Sequence, residues 1–201
     1  MKKGLAGFLV LTALSLYTWT WTYDAYERTV QASIASIGTR DGKGAIEAIR
    51  TYRESHASYL IRNVRYLERF DKRLRYHEGV AYLLLGDDRA AEDALREAAK
   101  SPERDIAARA FYDLAFPALN RNDLEGAKNH LAKALELKPS DVSTKVNLEL
   151  LLQRIKAQGA GKGKGEKGQE GQQQPAQSDL WRLDIPKNDG SSNSGSRRSY
   201  R

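Results

Sequence analysis

The chain has 201 residues, a net charge of +7 and no cysteine. That leaves room for one modest domain with appendages and excludes a large multidomain enzyme, a disulfide framework and any cysteine-based zinc or redox centre. A basic balance of this size suits nucleic acid, an anionic membrane or an acidic protein partner, and the distribution of charge has to choose among them. Lys2 and Lys3 contribute +2, residues 24–158 contribute +2 and residues 159–201 contribute +3.

The run from Gly4 to Tyr23 carries no charge over twenty residues, about 30 Å as a helix, which is the thickness of a hydrocarbon core. Lysines precede it, and Tyr17, Trp19, Trp21 and Tyr23 gather at its far end, where aromatic rings favour the membrane interface. Residues 1–23 are therefore predicted to form a transmembrane anchor. The N-terminus would be cytoplasmic and the rest of the chain periplasmic, as in a single-pass protein of a bacterial inner membrane. A cleaved signal peptide is the alternative, with Ala13-Leu14-Ser15 the only passable cleavage site, but the apolar character continues well beyond it.

From Asp24 to about residue 158 the composition is that of helices: Ala, Leu, Glu, Arg and Lys dominate and β-branched residues are sparse. Three stretches align with one another. Asp41, Asp87 and Asp123 fall in register, as do Ala45, Ala91 and Ala127, and four residues further on Ile49, Leu95 and Leu131. The pattern reads as a helix start: an Asp that accepts first-turn N–H groups, a small residue where a neighbouring helix crosses closely, then a large apolar residue on the same face. Each stretch is the second helix of a pair, and the last two alanines stand 36 residues apart.

At these positions the chain resembles the tetratricopeptide family. One unit, 71–104, has Gly79 and Tyr82 in its first helix, Gly86 in the turn, Ala91, Leu95 and Ala98 in the second helix, and Pro102 as its close. The next, 105–140, has Phe111, Leu114 and Ala115, then Asn122 in the turn, Ala127, Leu131 and Ala134, and Pro139 at its end. Pro117 departs from the pattern and is expected to kink its helix. An earlier, degenerate pair is predicted over Tyr26–Ile37 and Gly42–Glu54. A helix over Ser58–Leu74 would carry a basic stripe of Arg62, Arg65, Arg69 and Lys72. A capping helix over 141–158 would close the array.

Residues 159–201 are rich in Gly, Lys and Gln and poor in apolar side chains, so they are expected to be a disordered tail. Within it, residues 180–186 (Leu-Trp-Arg-Leu-Asp-Ile-Pro) form an apolar island with the look of a docking motif centred on Trp181. Gly163–Gly168 formally matches a dinucleotide fingerprint but has neither a preceding strand nor a following apolar helix. His56, His77 and His130 lack the spacing of a metal site or a catalytic pair. No catalytic, metal or cofactor residue is assigned.

The expected fold is all-α, with an N-terminal membrane helix, a short tetratricopeptide-type solenoid over 24–158 and the tail. The predicted function is protein binding, through Glu78, Tyr82, Tyr112 and Asn122 on a concave face, the basic stripe, and Trp181. Nucleic-acid binding through the basic stripe and tail is the rival, and it requires a cytosolic body. The Pro139-Ser-Asp start, the Lys145-Val-Asn-Leu-Glu-Leu150 run and the Gln-rich tail with its Trp are similar to repeat proteins encoded beside MoxR-type ATPases and von Willebrand A-domain membrane proteins. These include the aerotolerance Bat group and the MxaK-like accessory proteins of methanol dehydrogenase. That resemblance implies a role in assembly or maturation of an envelope enzyme.

Overall fold

The computed structural model describes the backbone of residues 2–63 and 67–161 and the side chains of residues 11–59 and 67–158. All elements among the described residues are helices: α1 (Lys2–Gly38), α2 (Gly42–Glu54), α3 (His56–Asn63), α4 (Glu68–Leu85), α5 (Asp88–Ala98), α6 (Arg104–Asn120), α7 (Leu124–Leu137) and α8 (Val142–Gly161). The all-α class follows directly. The Trp181 motif and the tail beyond residue 161 lie outside the described residues, as do Arg65 and the side chain of Arg62.

Three helix pairs, α1–α2, α4–α5 and α6–α7, close with the same turn. Arg40, Gly86 and Asn122 have φ of 60°, 74° and 58°. Glycine adopts this left-handed conformation freely, asparagine tolerates it, and arginine does so at a cost of about 1 kcal/mol. The next residue's N–H then reaches back five positions, from Asp41 to Ser36 O at 2.8 Å, Asp87 to Tyr82 O at 3.0 Å and Asp123 to Ala118 O at 2.8 Å. These bonds satisfy carbonyls that the ending helix leaves open. Each Asp carboxylate in turn accepts the N–H of the third residue on: Gly44 at 2.9 Å, Ala90 at 3.0 Å and Gly126 at 2.8 Å. The same three residues thus stop one helix and start the next.

Packing repeats with the turns. Ala45, Ala91 and Ala127 are fully buried, and Ile49, Leu95 and Leu131 beneath them are nearly so; each large side chain contributes about 1.5–3 kcal/mol through burial. Seven residues before each left-handed residue stands a small buried one: Ser33, Gly79 and Ala115. A Cβ added to Gly79 would lie 2.6 Å from Leu95 Cγ, so α4 and α5 approach as closely as glycine alone permits. The first pair, α1–α2, follows the same scheme with Ser33 where the second pair has Gly79. Its core, Tyr26, Val30, Ile49 and Tyr52, extends to Ala57 of α3 and to Leu67 and Leu74. Successive hairpins meet through α2 against α4 and α5 against α6. Helix α8 packs on α7 through Leu151, Leu148 and Ile155.

Two boundaries differ from expectation. The segment expected to run unbroken from Ser58 to Leu74 is divided, with α3 ending at Asn63 and α4 beginning at Glu68. No break occurs at Tyr23: α1 is one helix whose second half is the first helix of the first hairpin. Helix α6 runs through Pro117 to Asn120, as a kinked helix would; the proline sits in its last turn, where Arg121 N bonds to its carbonyl at 3.2 Å. Among the described residues no helix is long and apolar enough to cross a membrane. The expected anchor falls partly outside them, because the side chains of residues 1–10 are not described. From Leu11 onward Leu14, Leu16, Tyr17, Trp19 and Trp21 are exposed on α1.

The close α4–α5 contact gives a stability prediction. Gly79→Val should lower unfolding free energy by about 2–3 kcal/mol through overpacking against Leu95, and Asp87→Ala by about 1 kcal/mol through loss of the cap. Denaturant midpoints at an unchanged slope would check both.

Candidate binding groove

A cavity of about 930 Å³ opens between the second and third hairpins. Arg75, Glu78 and Tyr82 reach it from α4, spaced three and four residues apart and so on one helix face. Phe111 and Leu114 come from α6, and His130 and Lys133 from α7. Asp93, Arg96 and Glu97 come from α5, and Lys100 from the turn after it. The floor is apolar, made by Tyr82, Phe111, Leu114, Ala90 and Ala94, and the rim carries both signs of charge.

Most rim charges are held in place by partners. Glu78 is deeply set and accepts from Arg53 Nη1 at 3.0 Å and from Arg75 Nη1 at 3.1 Å. Arg53 Nη2 also stands 2.9 Å from the same carboxylate without being aligned to donate to it. One carboxylate thus joins α2 to α4 and fixes the orientation of Arg75. Lys100 pairs with Glu97 at 2.5 Å, and Arg96 pairs with Glu92. Hydrogen bonds from Lys100 and Lys72 hold the Glu97 carboxyl below its ordinary range. Lys133 differs: its ammonium lies over the Phe111 ring, 5.4 Å from the centroid, with no carboxylate partner among the described residues. His130 stacks on the same ring, with centroids 6.4 Å apart. Burial, reinforced by Lys133 and Arg96, pushes its pKa down, so it presents a neutral, largely apolar ring at neutral pH.

Of the residues expected to form the concave face, Glu78 and Tyr82 line the cavity. Tyr112 does not. It is buried, and its hydroxyl accepts from Asn147 Nδ2 at 2.6 Å, which ties α6 to α8. Asn122 is exposed at the tip of the third turn and serves the backbone there. The basic stripe is likewise divided. Lys72 is buried and bonded to Glu97 at 3.1 Å, while Arg69 is exposed with its guanidinium 4.9 Å from the Phe70 centroid.

The groove therefore draws on second helices as well as first ones. His130 and Lys133 were legible in principle, because the repeat register sets them against Ala94 and Glu97, two other lining residues. Among the described residues no three His, Cys, Asp or Glu side chains converge as a metal site. Neither a protein-family model nor a curated protein matches the chain.

His77, beside the groove on α4, is buried with its Nδ1 unpartnered. Burial first, then Arg73 and Arg109, lowers its pKa from 6.5 to about 4. The unfolded chain therefore takes up a proton that the folded chain refuses. This contribution is fully present above pH 6.5 and is lost as pH falls toward 4, removing about 3 kcal/mol in all. Unfolding midpoints measured from pH 7 to pH 4 should show that loss, and it should be largely absent in His77→Gln.

Proposed function

We propose that this chain is a membrane-anchored scaffold of tetratricopeptide type that holds a segment of a partner protein in the groove between its second and third hairpins. The observation that carries the reading is the groove's chemistry: an aromatic and aliphatic floor beneath a rim of fixed, mixed charge. Such a site suits an extended segment with one large apolar side chain flanked by polar groups. Lys133 supplies a cation for an acidic group on that segment. The three equivalent hairpins support the tetratricopeptide assignment, since a stacked repeat leaves a continuous surface free for ligands.

The membrane part of the reading rests on the uncharged run Gly4–Tyr23 and on the exposed Leu11, Leu14, Leu16, Trp19 and Trp21. An uncharged helix whose Ser and Thr hydroxyls bond back to its own carbonyls, and whose residues 13–21 are exposed, is suited to lipid. Orientation follows from Lys2 and Lys3, which place the N-terminus in the cytoplasm and the body outside it. The resemblance to the Bat and MxaK-like groups extends the proposal to an accessory role in assembling or maturing an envelope enzyme such as methanol dehydrogenase, alongside a MoxR-type ATPase and von Willebrand A-domain proteins. Trp181 supplies a second contact for such a complex. The reading assigns the chain no catalytic step.

A photo-crosslinking amino acid at position 82 or 133, tested in native membranes, should yield a discrete protein adduct, and one at the exposed position 89 should not. Phe111→Ala should reduce the adduct about tenfold or more, as expected for an aromatic anchor. Equal labelling at all three positions would count against the groove as the binding site.

A further inference from the structure

The body and the uncharged segment of α1 meet with no spacer between them. The last side chain of that segment to be covered is Thr22, 2% exposed, one residue before the run ends at Tyr23. Tyr23 itself meets Phe70 of α4 edge-on, with ring centroids 6.1 Å apart. Tyr26, one turn on, packs against the same Phe70 at 4.8 Å and against Tyr52 of α2 at 6.3 Å. One aromatic cluster thus clamps α1 at the level where its uncharged run stops. Because α1 is continuous through this point, the body is fixed to the segment as a rigid continuation of it.

The same end of the body carries exposed groups suited to a lipid surface. Arg69 opens α4 beside Phe70, exposed and with no carboxylate partner among the described residues. Of the neighbouring acids, Asp24 pairs with Arg28 at 3.0 Å and Glu68 lies 3.8 Å from Lys72, while Asp71 is half-buried. Helix α3 begins at this end too, since its Ala57 is buried in the Tyr26 cluster. Two residues later Tyr59 is 63% exposed. An arginine and a tyrosine at the end of an apolar span are the residue types that settle among headgroups.

We propose that the α3–α4 end of the body rests on the headgroup layer of the bilayer, with Arg69 against lipid phosphate and Tyr59 at the interface. This rests on the membrane-anchor reading above and adds a fixed orientation to it. The three turns at Arg40, Gly86 and Asn122 then point away from the membrane. Tyr82 in the groove stands thirteen residues along α4 from Arg69, about 20 Å along the helix axis and at most that far from the lipid surface. A partner segment held there is one close to the membrane.

The absence of cysteine makes the test direct. Full-length protein with a single fluorophore at Leu16→Cys, Tyr59→Cys or Arg89→Cys is reconstituted in vesicles of phosphatidylcholine and phosphatidylglycerol. Nitroxide quenchers are placed either in the acyl chains or on the headgroups. Acyl-chain quenching at position 16 reports the anchor. Headgroup quenching at position 59 should exceed that at position 89 several-fold, and Arg69→Glu should reduce it while leaving position 16 unchanged. Equal headgroup quenching at 59 and 89, with position 16 still quenched, overturns the resting orientation alone. Quenching at 59 that survives Arg69→Glu removes Arg69 from the contact. Loss of quenching at position 16 overturns the anchor and the orientation together.

Discussion

The close crossing of two helices at one small residue, locked by a left-handed turn and an Asp cap, is the contact on which the rest of the body depends. Its parts recur: Ser33, Gly79 and Ala115 are buried on the first helices and Ala45, Ala91 and Ala127 on the second, and at Gly79 the approach to Leu95 leaves no room for a Cβ. Closing each hairpin buries one aliphatic side chain from the second helix, Ile49, Leu95 or Leu131, and leaves the outer faces free to stack on the next pair. The first and second hairpins meet through α2 and α4, and the second and third through α5 and α6. The cavity between the second and third is a product of that stacking and of the particular side chains, Phe111, His130 and Lys133, that the third hairpin carries.

Electrostatics within the body mostly serve position. Glu78 is shared between Arg53 and Arg75, Glu97 between Lys72 and Lys100, and Glu92 between Arg96 and Arg121. Each bridging carboxylate links at least two elements or two turns, and Lys72, one of the four residues of the expected basic stripe, is committed in this way. Exposed ion pairs contribute little to stability; here their effect is to hold rim side chains in fixed directions around an apolar floor. Lys133 and Arg69 stand apart because they lie over aromatic rings instead of beside carboxylates.

Much of this was legible in the sequence, for physical reasons. The Asp-x3-Ala-x3-aliphatic register encodes a cap, a crossing point and a core contact at once, so three aligned copies predicted three second helices correctly. The first hairpin was harder to see because Arg40 occupies the left-handed position that glycine or asparagine fills elsewhere. The interval from Ala45 to Ala91 is also ten residues longer than that from Ala91 to Ala127, and α3 occupies the excess. The groove was half legible. Glu78 and Tyr82, expected on a concave first-helix face, line the cavity, whereas Tyr112 is buried in the core of the third hairpin and bonded to Asn147 of α8. Hydrophobic periodicity does not distinguish a buried aromatic from one that floors a cavity.

The orientation at the membrane, and the first hairpin whose Arg53 holds Glu78 at the groove, require α1 beyond Thr22 to pack as a full member of the body. Amide hydrogen exchange across the chain tests this most directly. Residues 26–37 should be protected to the same degree as the matching stretches of α4 and α6, residues 72–83 and 108–119, and should lose protection with them as denaturant is added. Exchange at 26–37 as fast as in an isolated helix, with α4 and α6 still protected, would contradict the three-hairpin body and the rigid junction built on it.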